Sequence, residues 1–356
     1  MATTPIHTAL CSFGMSGRVF HAPFITLHPG FRFYGVWERS KNLAQDLYPD
    51  VKTFRTYEDL LADPAIELVI VNTPSYTHYG YAKQALLAGK HVIVEKPFTA
   101  TVAQAEELVA LAAQQQVQLS VFQNRRWDSD YKTVKKIVEE GWLGEIKEAE
   151  FHYDRYNPAL SPKAHKETPG PGAGCLYDLG PHLIDQALHL FGVPQAVFAD
   201  LAITRPQSQV DDYFEILLYY PIFRVRLKSG YFVREAVPSF VVHGAKGSFL
   251  KPRADVQEAQ LQAGHQPGGD DWGTEPENGR GLLHTEKDGT VIKETLPSLR
   301  GNYGDYYEGV YQALRHEQPM PVAATDGLHT IRIIEAAFAS SRERKAIGLS
   351  SYPLPH

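Results

Sequence analysis

The run His7-Thr8-Ala9-Leu10-Cys11-Ser12-Phe13-Gly14-Met15-Ser16-Gly17 decides how this chain folds. It starts as a short apolar strand, passes into a turn bearing two glycines, and runs on into Arg18-Val19-Phe20-His21 at the start of a helical segment. Strand, glycine turn and helix in that order form the phosphate-binding corner of a dinucleotide fold. Glycine is wanted there because the backbone must turn tightly, come close to a pyrophosphate and let the helix pack on the strand. Ser12 stands at the first of the three glycine positions, and Gly14 and Gly17 fill the other two. The candidate cofactor turn is therefore Ser12, Phe13, Gly14, Met15, Ser16 and Gly17.

The first third of the chain repeats the pattern. Apolar, β-rich runs at His7–Phe13, Phe33–Trp37, Val51–Phe54, Leu68–Asn72, His91–Glu95 and Gln118–Phe122 alternate with helical segments, clearest at Tyr79–Ala88 and Thr101–Gln115. Near-continuous apolar strands separated by helices predict a parallel sheet covered on both faces. The reading is a doubly wound α/β domain over residues 1–123, with its ligand at the carboxyl ends of the strands.

Beyond residue 125 the pattern changes. A helix Tyr131–Glu140 leads to a strand Ile146–Tyr156, a Pro/Gly-rich stretch Asn157–Gly174 and a helix Leu176–Phe191. Strands Ala196–Thr204, Tyr213–Tyr220, Phe223–Leu227 and Ser239–His243 then follow one another, with a hairpin Gly281–Leu296 turned at Asp288-Gly289. Consecutive strands predict an open, mostly antiparallel sheet in an α+β domain over residues 124–356. Arg253–Arg280 reads as a long loop, and Gly327–Arg344 as a helix that lays Ile331, Ile334, Ala337 and Phe338 against a core.

Composition agrees with two domains, since 356 residues at about 150 per domain favour two over one or three. Hydrophobic residues at 43% and charged ones at 21% are globular values, which excludes a disordered chain, collagen or a coiled-coil rod. A net charge of −6 with no long run of either sign argues against nucleic acid or an anionic membrane as partner. The start, Met1-Ala2-Thr3-Thr4-Pro5, has neither a basic n-region nor an apolar h-region, so the expected location is the cytoplasm. Cys11 and Cys175 lie in unrelated contexts, which points to two buried, reduced cysteines rather than a disulfide or thiolate metal site.

Three further places carry chemistry. Glu38, about 20 residues past Gly17 at the end of the second strand, stands where a carboxylate holds the adenosine ribose, which favours NAD. Arg39, Ser40 and Lys41 follow at once, and cations with a hydroxyl suit a 2′-phosphate, which leaves NADP open. The fifth strand ends in Glu95-Lys96-Pro97, where Pro97 biases Lys96 toward an extended backbone at the cofactor end of the sheet. A lysine there can hydrogen-bond a substrate oxygen and exchange its proton.

In Gly174-Cys175-Leu176-Tyr177-Asp178-Leu179-Gly180-Pro181-His182, Asp178 and His182 are one helical turn apart and share a face. A carboxylate beside an imidazole suits proton transfer near neutrality, as removal of hydride from a secondary alcohol requires. Asp185 and His189 continue the stripe, so a metal site is an alternative. No thiolate supports it, and His189 lies two turns deeper, where a core or capping histidine is the simpler reading.

Five motifs occur in order: the Ser12–Pro23 segment, Asn72-Thr73-Pro74-Ser75-Tyr76-Thr77-His78, Glu95-Lys96-Pro97, Asn124-Arg125-Arg126-Trp127-Asp128, and Tyr177-Asp178-Leu179-Gly180-Pro181-His182. Together, and through Pro319-Met320-Pro321 to the last helix, they resemble the glucose–fructose oxidoreductase, inositol dehydrogenase and rhizopine-catabolism (Gfo/Idh/MocA) family, most of all its scyllo-inositol dehydrogenase-like members. The resemblance implies a Rossmann domain, a nicotinamide cofactor and hydride transfer to or from a cyclic polyol or sugar. It implies Lys96 as the catalytic lysine, Glu95 near the nicotinamide ribose, and Asp178 with His182 as the substrate-orienting and proton-transferring pair. Asn72, Thr73, Pro74 and His78 would lie along the cofactor. Asn124 and Arg125 would reach the cofactor, or Arg125 the substrate, from the crevice between the domains.

Ser12 in place of glycine, and Glu38 where NADP-dependent relatives carry smaller polar residues, depart from the family pattern. Relatives that cleave glycosides with a retained NAD, and non-enzymatic nucleotide or sugar sensors on the same fold, are the alternatives. The open sheet face is expected to pair subunits into a homodimer or homotetramer.

Overall fold

The computed structural model describes residues 4–162 and 164–349. The chain separates into two compact units. The first holds the residues up to Trp127 together with Val256–Trp272 and Asn302–Leu328, and the second holds Asp128–Asp255, Gly273–Gly301 and the residues from His329 on.

In the first unit, strands β1 (Ile6–Leu10), β2 (Phe31–Trp37), β3 (Lys52–Phe54), β4 (Leu68–Val71), β5 (His91–Glu95) and β6 (Leu119–Phe122) form a sheet in the order β3-β2-β1-β4-β5-β6. Every neighbouring pair is parallel. All four residues of β4 and of β6 are buried, which is why these strands read as continuous apolar runs rather than as an alternation. The chain builds outward from β1 to β3 and then restarts at β4 on the other side. This reversal opens a crevice at the carboxyl ends of β1 and β4, where open α/β sheets take their ligands.

Two segments that the sequence reading gave to the second domain belong to this first unit. They contain the helices Gln257–Gln262 and Gly304–His316. Burial explains the placement: Tyr303, Tyr306 and Tyr307 are fully buried. Tyr306 reaches the Ser120 hydroxyl at 2.9 Å, Tyr307 donates to the Phe20 carbonyl at 2.7 Å, and the Tyr303 amide donates to Gln257 Oε1 at 2.7 Å.

In the second unit, β7 (Ile146–His152), β8 (Ala196–Ala202), β9 (Tyr213–Tyr219), β10 (Arg224–Gly230), β11 (Phe240–Gly244), β12 (Gly247–Lys251), β13 (Gly281–Lys287), β14 (Thr290–Leu296) and β15 (Ile347–Gly348) form one sheet. Its order is β14-β13-β12-β11-β7-β10-β9-β8-β15. Only the β7–β10 pair is parallel. Along β9, buried Phe214, Ile216 and Leu218 alternate with half-exposed Tyr213, Glu215, Leu217 and Tyr219, the pattern of a sheet covered on one face. The helix Cys175–Phe191 lies on the covered face against β7, β9 and β10, burying Leu176, Leu179, Leu183, Ile184 and Ala187. No helix among the described residues is long and apolar enough to cross a membrane.

Candidate active site

In the first unit the turn after β1 is tied to the end of β4. The Ser12 amide donates to Asn72 Oδ1 at 3.0 Å, the Asn72 amide nitrogen donates to the Ser12 carbonyl at 2.8 Å, and the Ser12 hydroxyl donates to the Asn72 carbonyl at 2.9 Å. Ser12 therefore fastens the two strand ends that flank the crevice, a task a glycine hydroxyl-less backbone performs only in part. Asn72, expected along the cofactor, is buried and committed to this tie. The Phe13 ring is buried and stacked with Phe33 at 6.1 Å.

The tie also leaves no room at Gly17, where a Cβ would sit 2.5 Å from the Ser12 carbonyl and 2.8 Å from Asn72 Nδ2. Gly14 is exposed and has nothing within 4 Å of such a carbon, so its small size serves an approach from outside the chain. A glycine with open space at the start of the Gly17–His21 helical turn fits a pyrophosphate, and this is the observation on which the dinucleotide fits the site.

Glu38, at the end of β2, turns its carboxylate to the loop that follows. Its Oε1 accepts from the Leu43 N–H at 3.2 Å and its Oε2 from the Ala44 N–H at 3.0 Å, so the carboxylate closes the start of the helix Leu43–Leu47. The residue is 8% exposed. Arg55 fixes the same loop through the carbonyls of Glu38 at 2.9 Å and Lys41 at 2.7 Å. Arg39, Ser40 and Lys41 are exposed.

β5 ends at Glu95, and the Lys96–Pro97 bond that follows is cis. Glu95 accepts from the Ser16 hydroxyl, and its Oε1 lies 3.0 Å from His21 Nε2. Tyr307 donates its one proton to the Phe20 carbonyl, so its oxygen accepts from His21 Nδ1–H at 2.8 Å. Burial raises the Glu95 carboxyl, but the bond and charge of His21, the Ser16 hydroxyl and the Lys96 ammonium outweigh it and hold Glu95 below the usual carboxylate range. Lys96 follows at the crevice end of the strand, half-buried, its backbone N–H 3.2 Å from Glu95 Oε2.

His78 opens the helix His78–Leu87. Its ring is buried between the Pro97 carbonyl at Nδ1 and the Thr73 carbonyl at Nε2, each 2.8 Å away. It ties the loop after β4 to the residue that follows Lys96. Thr73 is half-buried with its hydroxyl 2.7 Å from that of Thr77, and Pro74 is exposed. Asn124 is buried in the turn after β6, and Arg125 pairs with Glu258 at 2.6 Å with its side chain 11% exposed. Arg125 is thus engaged within its own unit.

In the second unit the helix Cys175–Phe191 starts at Gly174, whose φ is +95° and where a Cβ would run into the Asp211 carboxylate. Asp211 Oδ2 accepts from the Leu176 N–H at 2.7 Å and its carbonyl from the Cys175 N–H at 2.8 Å, which closes the start of the helix. Burial pushes the Asp211 carboxyl up to about 6, against the pull of the backbone donors. One turn in, Asp178 Oδ1 accepts from Lys166 Nζ at 2.7 Å.

His182 is buried, its ring stacked on Tyr153 at 6.1 Å, and the Arg253 guanidinium lies 3.9 Å from the same tyrosine ring. His189 Nδ1 meets the Tyr131 hydroxyl at 2.8 Å, as a structural histidine does. No group of three His, Cys, Asp or Glu side chains among the described residues is arranged to hold a metal ion. A polar cavity of about 100 Å³ opens at the head of the helix, bounded by Arg155, Lys166, Asp178, Arg205, Asp211 and Tyr231.

Sequence reasoning missed Lys166, Asp211 and the Tyr307–His21–Glu95 chain. His21 stood in the quoted turn, but its partners come from residues far along the chain, and the Pro/Gly-rich stretch around Lys166 carries no period.

The first sheet's strand order with its crevice-end turn, and the second unit's open sheet with its Asp–His helix, define a two-part NAD(P)-binding oxidoreductase. Residues 6–123 match the "Oxidoreductase family, NAD-binding Rossmann fold" and residues 135–349 the "Oxidoreductase family, C-terminal alpha/beta domain". The chain belongs to the Gfo/Idh/MocA oxidoreductase family. It is 39% identical over 345 residues to scyllo-inositol 2-dehydrogenase (NADP(+)) of Bacillus subtilis (strain 168), covering 97% of this chain and 96% of that one. It is also 39% identical over 345 residues to the oxidoreductase YdgJ of Escherichia coli (strain K12), covering 97% and 99%. The crystal structure of an oxidoreductase from Bacillus cereus superimposes with a TM-score of 0.91 at 33% identity, covering 99% of this chain and 100% of that one.

Proposed function

We propose that this protein is an NADP(H)-dependent dehydrogenase that moves a hydride between a secondary hydroxyl of a cyclic polyol or sugar, inositol-like in shape, and nicotinamide. One observation carries the proposal: a single chain keeps Lys96 at the crevice end of β5 and Asp178 with His182 one turn apart on one helix. A sensor on this fold has no use for a proton-transfer set. One relative, 39% identical, is a scyllo-inositol 2-dehydrogenase (NADP(+)).

Lys96 donates a hydrogen bond to the oxygen that leaves the alcohol state. His182 takes the hydroxyl proton, and Asp178 accepts from a substrate hydroxyl and orients the ring. Glu95, ionised and held by Ser16 and His21, supports the ammonium of Lys96 beside it. A bound nicotinamide supplies the acceptor for the hydride.

The preference for NADP rests on Arg39, Ser40 and Lys41, beside Glu38. The charge of Glu38 is engaged by two helix N–H groups, and the exposed Arg39, Ser40 and Lys41 next to it offer two cations and a hydroxyl to a 2′-phosphate. The test is steady-state kinetics with a panel of inositols and aldoses against NAD and NADP. Polyol-dependent NADPH production is expected, and Lys96→Met is expected to lower kcat/KM by about 10²–10⁴-fold, the range for loss of a positioned proton-transfer group. No redox signal with any polyol or sugar, or a glycoside consumed without net NADPH, overturns the proposal.

A further inference from the structure

Lys166 pairs with Asp178 at 2.7 Å, and the proposed reaction does not use it. An ion pair at a surface is worth little by itself, because two long side chains must be held in one geometry. Here the backbone that carries Lys166 is pinned. Its neighbour Glu167 accepts from the Ser161 N–H at 2.7 Å and from both ends of the Arg205 guanidinium at 3.2 and 2.9 Å. Arg205 is 3% exposed and also donates to Asp212 Oδ2 at 2.9 Å and to the Ala159 carbonyl at 3.0 Å. Its stacking on the Tyr231 ring at 4.8 Å completes a fixed pillar beside the cavity.

The charges that bound the cavity then sort by duty. Arg205 and Glu167 satisfy each other, and Asp211 closes the helix start. The Lys166–Asp178 pair faces the cavity, with 38% and 22% of the two side chains exposed, and Arg155 on the same wall lies over the Tyr153 ring at 5.1 Å. A hydroxyl both donates and accepts, whereas an ammonium only donates and a carboxylate only accepts. Two adjacent hydroxyls of a polyol match such a pair: one donates to Asp178 while its neighbour accepts from Lys166. A cavity of about 100 Å³ is the room of a few waters, enough for the edge of a ring and not for the whole of it.

We propose that Lys166 is a substrate-binding, specificity-determining residue, which with Asp178 reads a vicinal diol on the polyol. The assignment rests on the polyol reading of the function. Arg205 and Glu167 are positioning residues for it, acting through the backbone that bears Lys166.

The test is calorimetric titration of scyllo-inositol, and of an analogue lacking one hydroxyl, into the full-length protein saturated with NADPH, alongside steady-state kinetics. Lys166→Met is expected to weaken inositol binding and raise KM by about tenfold or more, the loss of one hydrogen bond to a charged group, with kcat changed less than about threefold. NADPH affinity and melting temperature stay at wild-type values, which a merely structural role would not leave untouched, and Lys166→Arg recovers part of the loss. In wild type the deoxy analogue binds as weakly as inositol does to Lys166→Met, and the variant no longer distinguishes the two. Unchanged binding and KM in Lys166→Met overturn the assignment while leaving the dehydrogenase reading intact. Binding lost in the variant of a protein that turns over no polyol upholds the assignment and overturns the dehydrogenase reading. A wild-type protein that binds no polyol overturns both.

Discussion

A carboxylate whose two oxygens each accept a backbone N–H already has its charge met. At Glu38 that commitment separates helix stability from cofactor choice. Glu38→Ala is expected to cost about 1 kcal/mol, the worth of a lost helix cap, measured as a lower denaturation midpoint, with the NADP-to-NAD ratio of kcat/KM unchanged. The double variant Arg39→Ala, Lys41→Ala is expected to weaken NADPH binding about tenfold or more while sparing NADH, because charge-assisted bonds to phosphate are lost. Fluorescence titration of each cofactor checks both. The sequence places Glu38 correctly at a strand end, but the same spacing serves a ribose ligand and a helix cap, and side-chain direction separates them. His78, Phe13 and Arg125 share that ambiguity, since a histidine between two carbonyls, a core ring and a paired guanidinium have no signature in residue type or spacing. Lys96 was legible because the end of a strand fixes where its residue lies.

At the scale of elements, the turn Ser12–Gly17 and the helix Cys175–Phe191 each depend on one glycine and one cap. Gly17→Ala puts a carbon 2.5 Å from the Ser12 carbonyl, so the Ser12–Asn72 tie must open. The expected result is a loss of about 1–3 kcal/mol in stability, read by denaturant unfolding, and a loss of cofactor binding. Asp211 caps the second element while buried, and its folded-state pKa of about 6 lies above the ordinary 3.8. A raised acid favours the fold most below its unfolded pKa and loses that support as pH rises through the folded value. Wild type is therefore expected to gain on Asp211→Asn by on the order of 1 kcal/mol between pH 7 and pH 5, measured by urea unfolding at each pH. A gain in the opposite direction would refute the buried-acid account. All six parallel strands were legible from their apolar runs, with β1 ending at Leu10 because Ser12 turns to Asn72 instead of continuing the ladder. Helix Gly304–His316 was passed over although Tyr306, Val310 and Ala313 recur at helical spacing, and Gln257–Gln262 was hidden in a glutamine-rich run with no apolar stripe. β12 escaped because only its buried Phe249 and Lys251 mark the inward face, and a lysine does not read as core.

For the molecule as a whole, the change from alternating to consecutive strands marked the two units, but a single cut near residue 123 does not describe them, since two later segments return to the first. Contacts over more than 130 residues of sequence, such as Ser120 with Tyr306 and Arg125 with Glu258, leave no local trace. On the second unit's sheet, Phe198 is 36% exposed and the outward residues of β9 are half-exposed, a face suited to a second copy of the chain. Light scattering is expected to give two or four times the 39.8 kDa of one chain, and a monomer mass would contradict that. The central claim, that Lys96 and the Asp178–His182 pair serve one NADP-coupled oxidation of a cyclic polyol, is tested most directly by absorbance at the reduced-nicotinamide band with scyllo-inositol and NADP. The account predicts NADPH formation by wild type that falls by about 10²–10⁴-fold in both Lys96→Met and His182→Gln while NADPH still binds. Equal rates in wild type and the two variants, or no NADPH formed from any cyclic polyol or sugar, would contradict it.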